Sequence, residues 1–145
     1  MVRKRTRSRE IALQMLYMVD VRGPEALDDL DAFLDREAMT EPDVAEFART
    51  LVEGTQENLA DIDVALTRAA QNWQLRRMAI VDRNILRMAV YEMVHLEEVP
   101  AKVSINEAIE LGKRFSTAQS GSFINGILDR IRLQSATENP GSEGQ

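Results

Sequence analysis

Apolar residues recur at intervals of three and four along most of the chain, while strict two-residue alternation is scarce. That is the period of helices burying one face, not of strands. The pattern predicts an all-α fold of about seven helices. The first starts near Ser8, a good cap residue, and carries Ile11, Ala12, Met15, Leu16 and Val19 inward before Gly23-Pro24 stops it. Pro24 is then well placed as the first residue of a second helix with Leu27, Leu30, Phe33 and Leu34 inward, and Pro42 opens a third with Val44, Phe47, Ala48, Leu51 and Val52. Leu59, Ile62, Leu66 and Ala69 mark a fourth, and Trp73 lies in the link that follows. The stretch from Ile80 to Met93 is apolar nearly all round and reads as a buried strut ended by Val99-Pro100. Ser104 and Glu107 have the spacing of a capping box for a helix through Ile109 and Phe115. A polar loop from Ser116 to Ser122 leads to a last helix, starting near Ser122 or Phe123, with Ile124, Ile127, Leu128 and Ile131 inward. Residues 1–136 are expected to form one domain, and 137–145, without an apolar anchor, a disordered tail.

A chain of 145 residues is long enough for a core of its own, burying roughly 68–70% of the surface the unfolded chain exposes. It contains no cysteine, which removes disulfides, thiolate nucleophiles and cysteine-based metal centres and fits a reducing cytoplasm. No apolar run approaches the ~18 residues of a membrane-spanning helix, and the basic start lacks a signal-type apolar core, so a cytoplasmic location away from membranes is expected. His95 is the only histidine and reads as a packed or surface residue. Asp28, Asp29, Asp31, Asp35 and Glu37 look like the solvated face of a helix and not a paired acid and base. Gly121 and Gly126 are not followed by the Lys-Ser or Lys-Thr of a phosphate loop. No enzyme activity, metal site or cofactor is expected.

Binding chemistry is better represented. The net charge of −6 hides a polarity: Arg3, Lys4, Arg5, Arg7 and Arg9 against Glu10 give the first ten residues +4 and leave −10 for the rest. A basic segment on an acidic chain is a layout suited to nucleic acid. Arginine pairs bidentately with phosphate and stacks on bases. Arg5 and Arg9 share a face if the helix extends that far, although cations are slightly disfavoured at a helix start. The loop from Ser116 to Ser122 offers amides and hydroxyls to a phosphate. Phe123 beside it suits either a core position or a base-stacking platform.

Four blocks carry a family resemblance. They are Arg7-Ser8-Arg9-Glu10-Ile11-Ala12-Leu13-Gln14-Met15-Leu16-Tyr17, Val81-Asp82-Arg83-Asn84-Ile85-Leu86-Arg87-Met88-Ala89-Val90-Tyr91-Glu92, Val99-Pro100-Ala101-Lys102-Val103-Ser104-Ile105-Asn106-Glu107-Ala108-Ile109-Glu110-Leu111, and Ser122-Phe123-Ile124-Asn125-Gly126-Ile127-Leu128-Asp129. In this order they resemble the NusB family of transcription antitermination proteins, from about Arg3 to Ile131, whereas Val21 to Asn72 is similar in pattern only. The resemblance implies two packed three-helix bundles, binding to single-stranded boxA RNA of ribosomal RNA leader transcripts, and a complex with NusE, a small-subunit ribosomal protein, that helps RNA polymerase read through terminators. By position it implies RNA contacts at Arg5, Arg7 and Arg9, with Arg3 and Lys4 in the same segment and Gln119, Ser120, Ser122 and Phe123 as a second RNA-contacting part. It implies a partner-facing side at Tyr17 and Asp82. Thr6 and Gln119 depart from the pattern, standing where some relatives have an arginine and an acidic residue. Relatives differ in oligomeric state, so monomer and homodimer both stay open. If all five basic residues neutralise phosphates, the log–log salt slope of RNA binding is about −3.5 at most.

Two other readings compete. Similar modules precede the catalytic domain of some ribosomal RNA cytosine methyltransferases, but no glycine-rich cofactor strand-turn-helix is present here. A purely structural interaction protein would use its acidic helices for a basic partner and its arginines for solubility alone.

Overall fold

A computed structural model describes residues 3–138 as seven α-helices and two short 3-10 turns, with no strand among the described residues. The chain divides into two compact units, residues 1–58 and 59–145.

The first unit contains α1 (Lys4–Arg22), a 3-10 turn (Pro24–Asp29), α2 (Leu30–Glu37) and α3 (Pro42–Glu57). Helix α1 packs along α3, and α2 closes against α3. Ile11, Met15 and Leu16 of α1 and Leu51 and Val52 of α3 are fully buried. At ~1.5–3 kcal/mol for each large apolar side chain removed from water, this seam dominates the stability of the unit. Helix α1 begins four residues before Ser8: Arg3, extended at φ −69° and ψ 147°, takes the cap position, and its carbonyl accepts the Arg7 amide at 3.0 Å. Ser8 is not a cap but a fully buried link, its Oγ 2.8 Å from the Val44 carbonyl of α3. Gly23 ends α1, its amide bonded to Val19 O at 2.8 Å. Its φ of 105° and ψ of 168° lie in a region essentially reserved for glycine. Pro24 opens the 3-10 turn, and α2 proper starts only at Leu30. Pro42 opens α3 as its fixed φ predicts.

The second unit contains α4 (Leu59–Ala70), a 3-10 turn (Leu75–Arg77), α5 (Ile80–His95), α6 (Ala101–Phe115) and α7 (Ser120–Glu138). Helix α5 packs against α4, α6 and α7. It is the buried strut its composition predicts, with Ile85, Leu86, Met88 and Val90 inside. It also buries Asp82, Asn84 and Glu92, and it stops at His95, not Val99. Arg87 ties it to α4 through two bonds to the Asp63 carboxylate, at 2.9 and 3.0 Å. The capping box is not formed. Pro100 occupies the cap of α6, which starts at Ala101, and Ser104, now inside the helix, donates to buried Glu92 Oε1 at 3.1 Å. Helices α6 and α7 approach closely at Gly112, where an added Cβ would stand 2.7 Å from Cδ1 of fully buried Ile124. The polar loop is shorter than its composition suggests, because Ser120 already lies in α7. That helix reaches Glu138, two residues into the segment expected as a tail from 137, and residues 139–145 lie outside the described residues. Among the described residues no helix is long and apolar enough to cross a membrane.

Candidate nucleic-acid interface

The basic segment is not a separate arm. From Lys4 onward it is the first turns of α1, and its charges are sorted by the packing of α1 on α3. Arg3, Lys4 and Arg5 are exposed, Arg7 is intermediate, and Arg9 is 2% exposed. Arg5 and Arg9 do share a face, and that face meets Phe47 of α3. The Arg5 guanidinium carbon lies 4.3 Å from the ring centroid and that of Arg9 5.6 Å. Both are within cation–π range. Burial therefore takes Arg9 out of the surface available to a phosphate, and it becomes part of the scaffold under Arg5.

Two neighbouring cations are bridged within the unit. Lys4 Nζ stands 2.8 Å from Asp43 Oδ2, and Arg7 lies 3.8 Å from Glu37. The hydrogen bond to Asp43, and then its charge, raise the pKa of Lys4, while the Lys4 hydrogen bond lowers that of Asp43. Both groups are open to water, so screening leaves the pair little effect on stability. Asp43, held below its ordinary value of 3.8, keeps the bridge charged until the solution is acidic beyond that point. These acids compete with any phosphate for the same cations.

In the second unit the loop before α7 is organised by Ser120, which is 2% exposed. Its Oγ lies 3.1 Å from Asp82 Oδ2, 3.0 Å from both Ser116 Oγ and Thr117 Oγ1, and 3.2 Å from the Thr117 amide. The Ser120 hydroxyl accepts from the Thr117 amide and has one proton to share between the Asp82 carboxylate and Ser116 Oγ, the charged acceptor being the stronger. Asp82 is consequently 8% exposed, a support for the loop, with Oδ1 left as a buried acceptor without a partner. Gln119 and Ser122 are exposed, and the Gln119 carbonyl accepts the Phe123 amide at 3.2 Å. Phe123 is half-buried and meets Trp73 edge to face, with centroids 5.5 Å apart and planes at 77°. Tyr17, on α1 in the first unit, is 41% exposed.

Trp73, 56% exposed, is a surface residue that helical periodicity places only in the link after α4. Its signal was nonetheless present: the only tryptophan lies in the polar run Gln71-Asn72-Trp73-Gln74, with no helix face to bury it and Arg76-Arg77 just beyond. Phe47 was expected inward and is instead a half-buried platform for arginine. No sequence signal distinguishes it from its apolar neighbours on α3.

Each unit thus offers charged and aromatic groups suited to holding a ligand, and no group of His, Cys, Asp and Glu among the described residues is placed to hold a metal ion. These features define a helical binding protein. A model of the NusB family matches residues 6–132, and the chain belongs to that family. A transcription antitermination protein NusB from Desulfatibacillum aliphaticivorans is 46% identical over 135 residues, covering 93% of this chain and 94% of the relative. Among solved structures, NusB of T. maritima is 38% identical with a TM-score of 0.78, covering 90% of this chain and 92% of that one. A structure of the antitermination factors NusB and NusE in complex with dsRNA has a chain 26% identical to this one with a TM-score of 0.80, covering 90% and 97% of the two chains.

Proposed function

We propose that this chain is a transcription antitermination factor of the cytoplasm that binds boxA-type single-stranded RNA of ribosomal RNA leader transcripts. In this reading it acts with NusE, in a complex that helps RNA polymerase pass terminators, and it catalyses no reaction. The observation that carries the reading is the exposed cation row Arg3, Lys4 and Arg5, continued by Arg7, fixed on a helix instead of trailing from it. A preset row of guanidinium groups loses less freedom on meeting a phosphate backbone than a floppy segment would. Phe123 and the loop residues Gln119, Ser120 and Ser122 form a second RNA-contacting part, Ser120 by holding the loop and the others by contact. Tyr17 and Asp82 serve the partner, Tyr17 through its exposed ring and Asp82 through the loop that it holds in place. The acidic balance of the remaining chain repels stray RNA and attracts a basic ribosomal protein.

The test is a titration of labelled boxA-type RNA, as single strand and as duplex, against a scrambled control at two salt concentrations, with and without NusE. Preference for the boxA-type single strand, weakening with salt and tightening with NusE, is expected. Equal binding of boxA-type and scrambled RNA would overturn the reading. A purely structural role predicts that changing Arg3, Arg5 and Arg7 to alanine leaves RNA crosslinking unchanged, whereas the RNA reading predicts its loss with NusE binding nearly intact.

A further inference from the structure

A cavity of about 200 Å³ lies within the second unit, lined by Gln71, Asn72, Trp73, Phe123, Gly126 and Arg130 among others. It is smaller than the ~300–1,000 Å³ of pockets for drug-sized ligands, so it suits one ring system and not a whole nucleotide. No acidic side chain lines it, although acids outnumber bases in the chain by 24 to 18. Gly126, inside α7, is one of its lining residues, and an added Cβ there would meet nothing within 4 Å. Glycine inside a helix is unfavourable relative to alanine, and unlike Gly112 this one is not required by a neighbour. What its missing side chain preserves is the space itself.

The walls have matching chemistry. Phe123 and Trp73 fix one another edge to face, which gives a preset aromatic corner. Gln71 has φ 56°, a left-handed conformation that side-chain-bearing residues rarely adopt, at the end of α4. It and Asn72 bring carboxamides that both donate and accept hydrogen bonds. Arg130 is anchored by Nη1 at 2.6 Å from the Ala69 carbonyl and retains further N–H donors.

We propose that this cavity receives one unstacked nucleobase of the bound RNA strand, stacked in the Phe123–Trp73 corner over Gly126. The Gln71 and Asn72 amides meet the base edge, and Arg130 meets the adjoining phosphate. The assignment rests on the RNA-binding reading and makes it specific: Trp73, Gln71, Gly126 and Arg130 become part of the site. It also makes affinity depend on a single base position, which a row of cations cannot do.

The experiment uses the full chain and boxA-type single-stranded RNA, with a series of oligonucleotides each lacking one base. Gly126→Leu fills the cavity without lowering helix propensity, and Trp73→Ala removes an exposed wall, so both are expected to melt near the wild-type temperature. Each is expected to weaken RNA binding by roughly five- to 150-fold, the range of one base–aromatic stack. One abasic position should weaken the wild type comparably and leave Gly126→Leu unaffected. The cavity assignment falls, with RNA binding intact, if both variants bind as the wild type does while Arg5→Ala with Arg7→Ala loses affinity. It falls as well if the abasic penalty persists undiminished in Gly126→Leu. If the wild type does not discriminate boxA-type from scrambled RNA, the proposed function falls with it.

Discussion

Asp43 and Lys4 show how a single side chain sets what a neighbouring charge can do. The bridge at 2.8 Å holds Lys4 against α3, and RNA must displace Asp43 to use it. Asp43→Asn removes the competing charge, so RNA affinity should rise by a few-fold at low salt and by less at high salt, read by titration at two ionic strengths. Arg5 and Arg7 have the opposite sign. Each phosphate-contacting cation contributes about 0.7 to the log–log salt slope for single strands, so Arg5→Ala with Arg7→Ala should lower its magnitude by about 1.4. Arg9→Ala acts through Phe47 and the packing of α1 on α3. It should lower the melting temperature by more than the change of Arg5 and Arg7 does, since those two are less buried. With Arg9 buried, four cations of this segment remain for phosphate, and their joint share of the slope is about −2.8 instead of −3.5.

Among the elements, α7 and the loop before it depend on contacts from helices far away in the chain. Ser120→Ala strips the loop of its central hydroxyl and leaves the Asp82 carboxylate, 8% exposed, with both oxygens unpartnered. A loss of about 1–3 kcal/mol is expected in denaturant unfolding, together with weaker RNA binding as Phe123 loses its support. Gly112→Ala drives a methyl group onto Ile124 between α6 and α7 and should cost about 1–3 kcal/mol, whereas alanine at the open Gly126 should be neutral or stabilising. Gly23→Ala forces a Cβ into the φ 105°, ψ 168° region and should cost a similar ~1–3 kcal/mol in thermal melts. The existence and order of the helices were legible because each buries a stripe at helical spacing. Their starts were less so. Ser8 and Ser104 resemble caps, but Arg3 and Pro100 take those places, since a hydroxyl that can bond Val44 O or Glu92 inside a core is better used there than at a helix end.

For the whole molecule, charge and family membership point the same way. An acidic chain with a cluster of cations at its start has the charge layout that the proposed RNA and basic protein partner call for, and the family model that matches residues 6–132 places it among NusB proteins. A coupled equilibrium follows: if NusE tightens RNA binding by some factor, RNA must tighten NusE binding by the same factor. Measuring both limbs of the cycle by calorimetry checks this, and unequal factors would point to a third species in the mixture.

The amino-acid sequence by itself determined the helical class, the order of the helices, the family, and the segments carrying positive charge and aromatic rings. These depend on spacing along the chain, which is local. Only the tertiary structure decided that Arg9 is buried beside Phe47, that Asp82 is spent largely on Ser120, and that Trp73 meets Phe123 edge to face. Each of those pairs joins residues tens of positions apart. Which of them meet is set by the register in which whole helices pack, a collective minimum of buried area and hydrogen bonding that no short window of sequence contains.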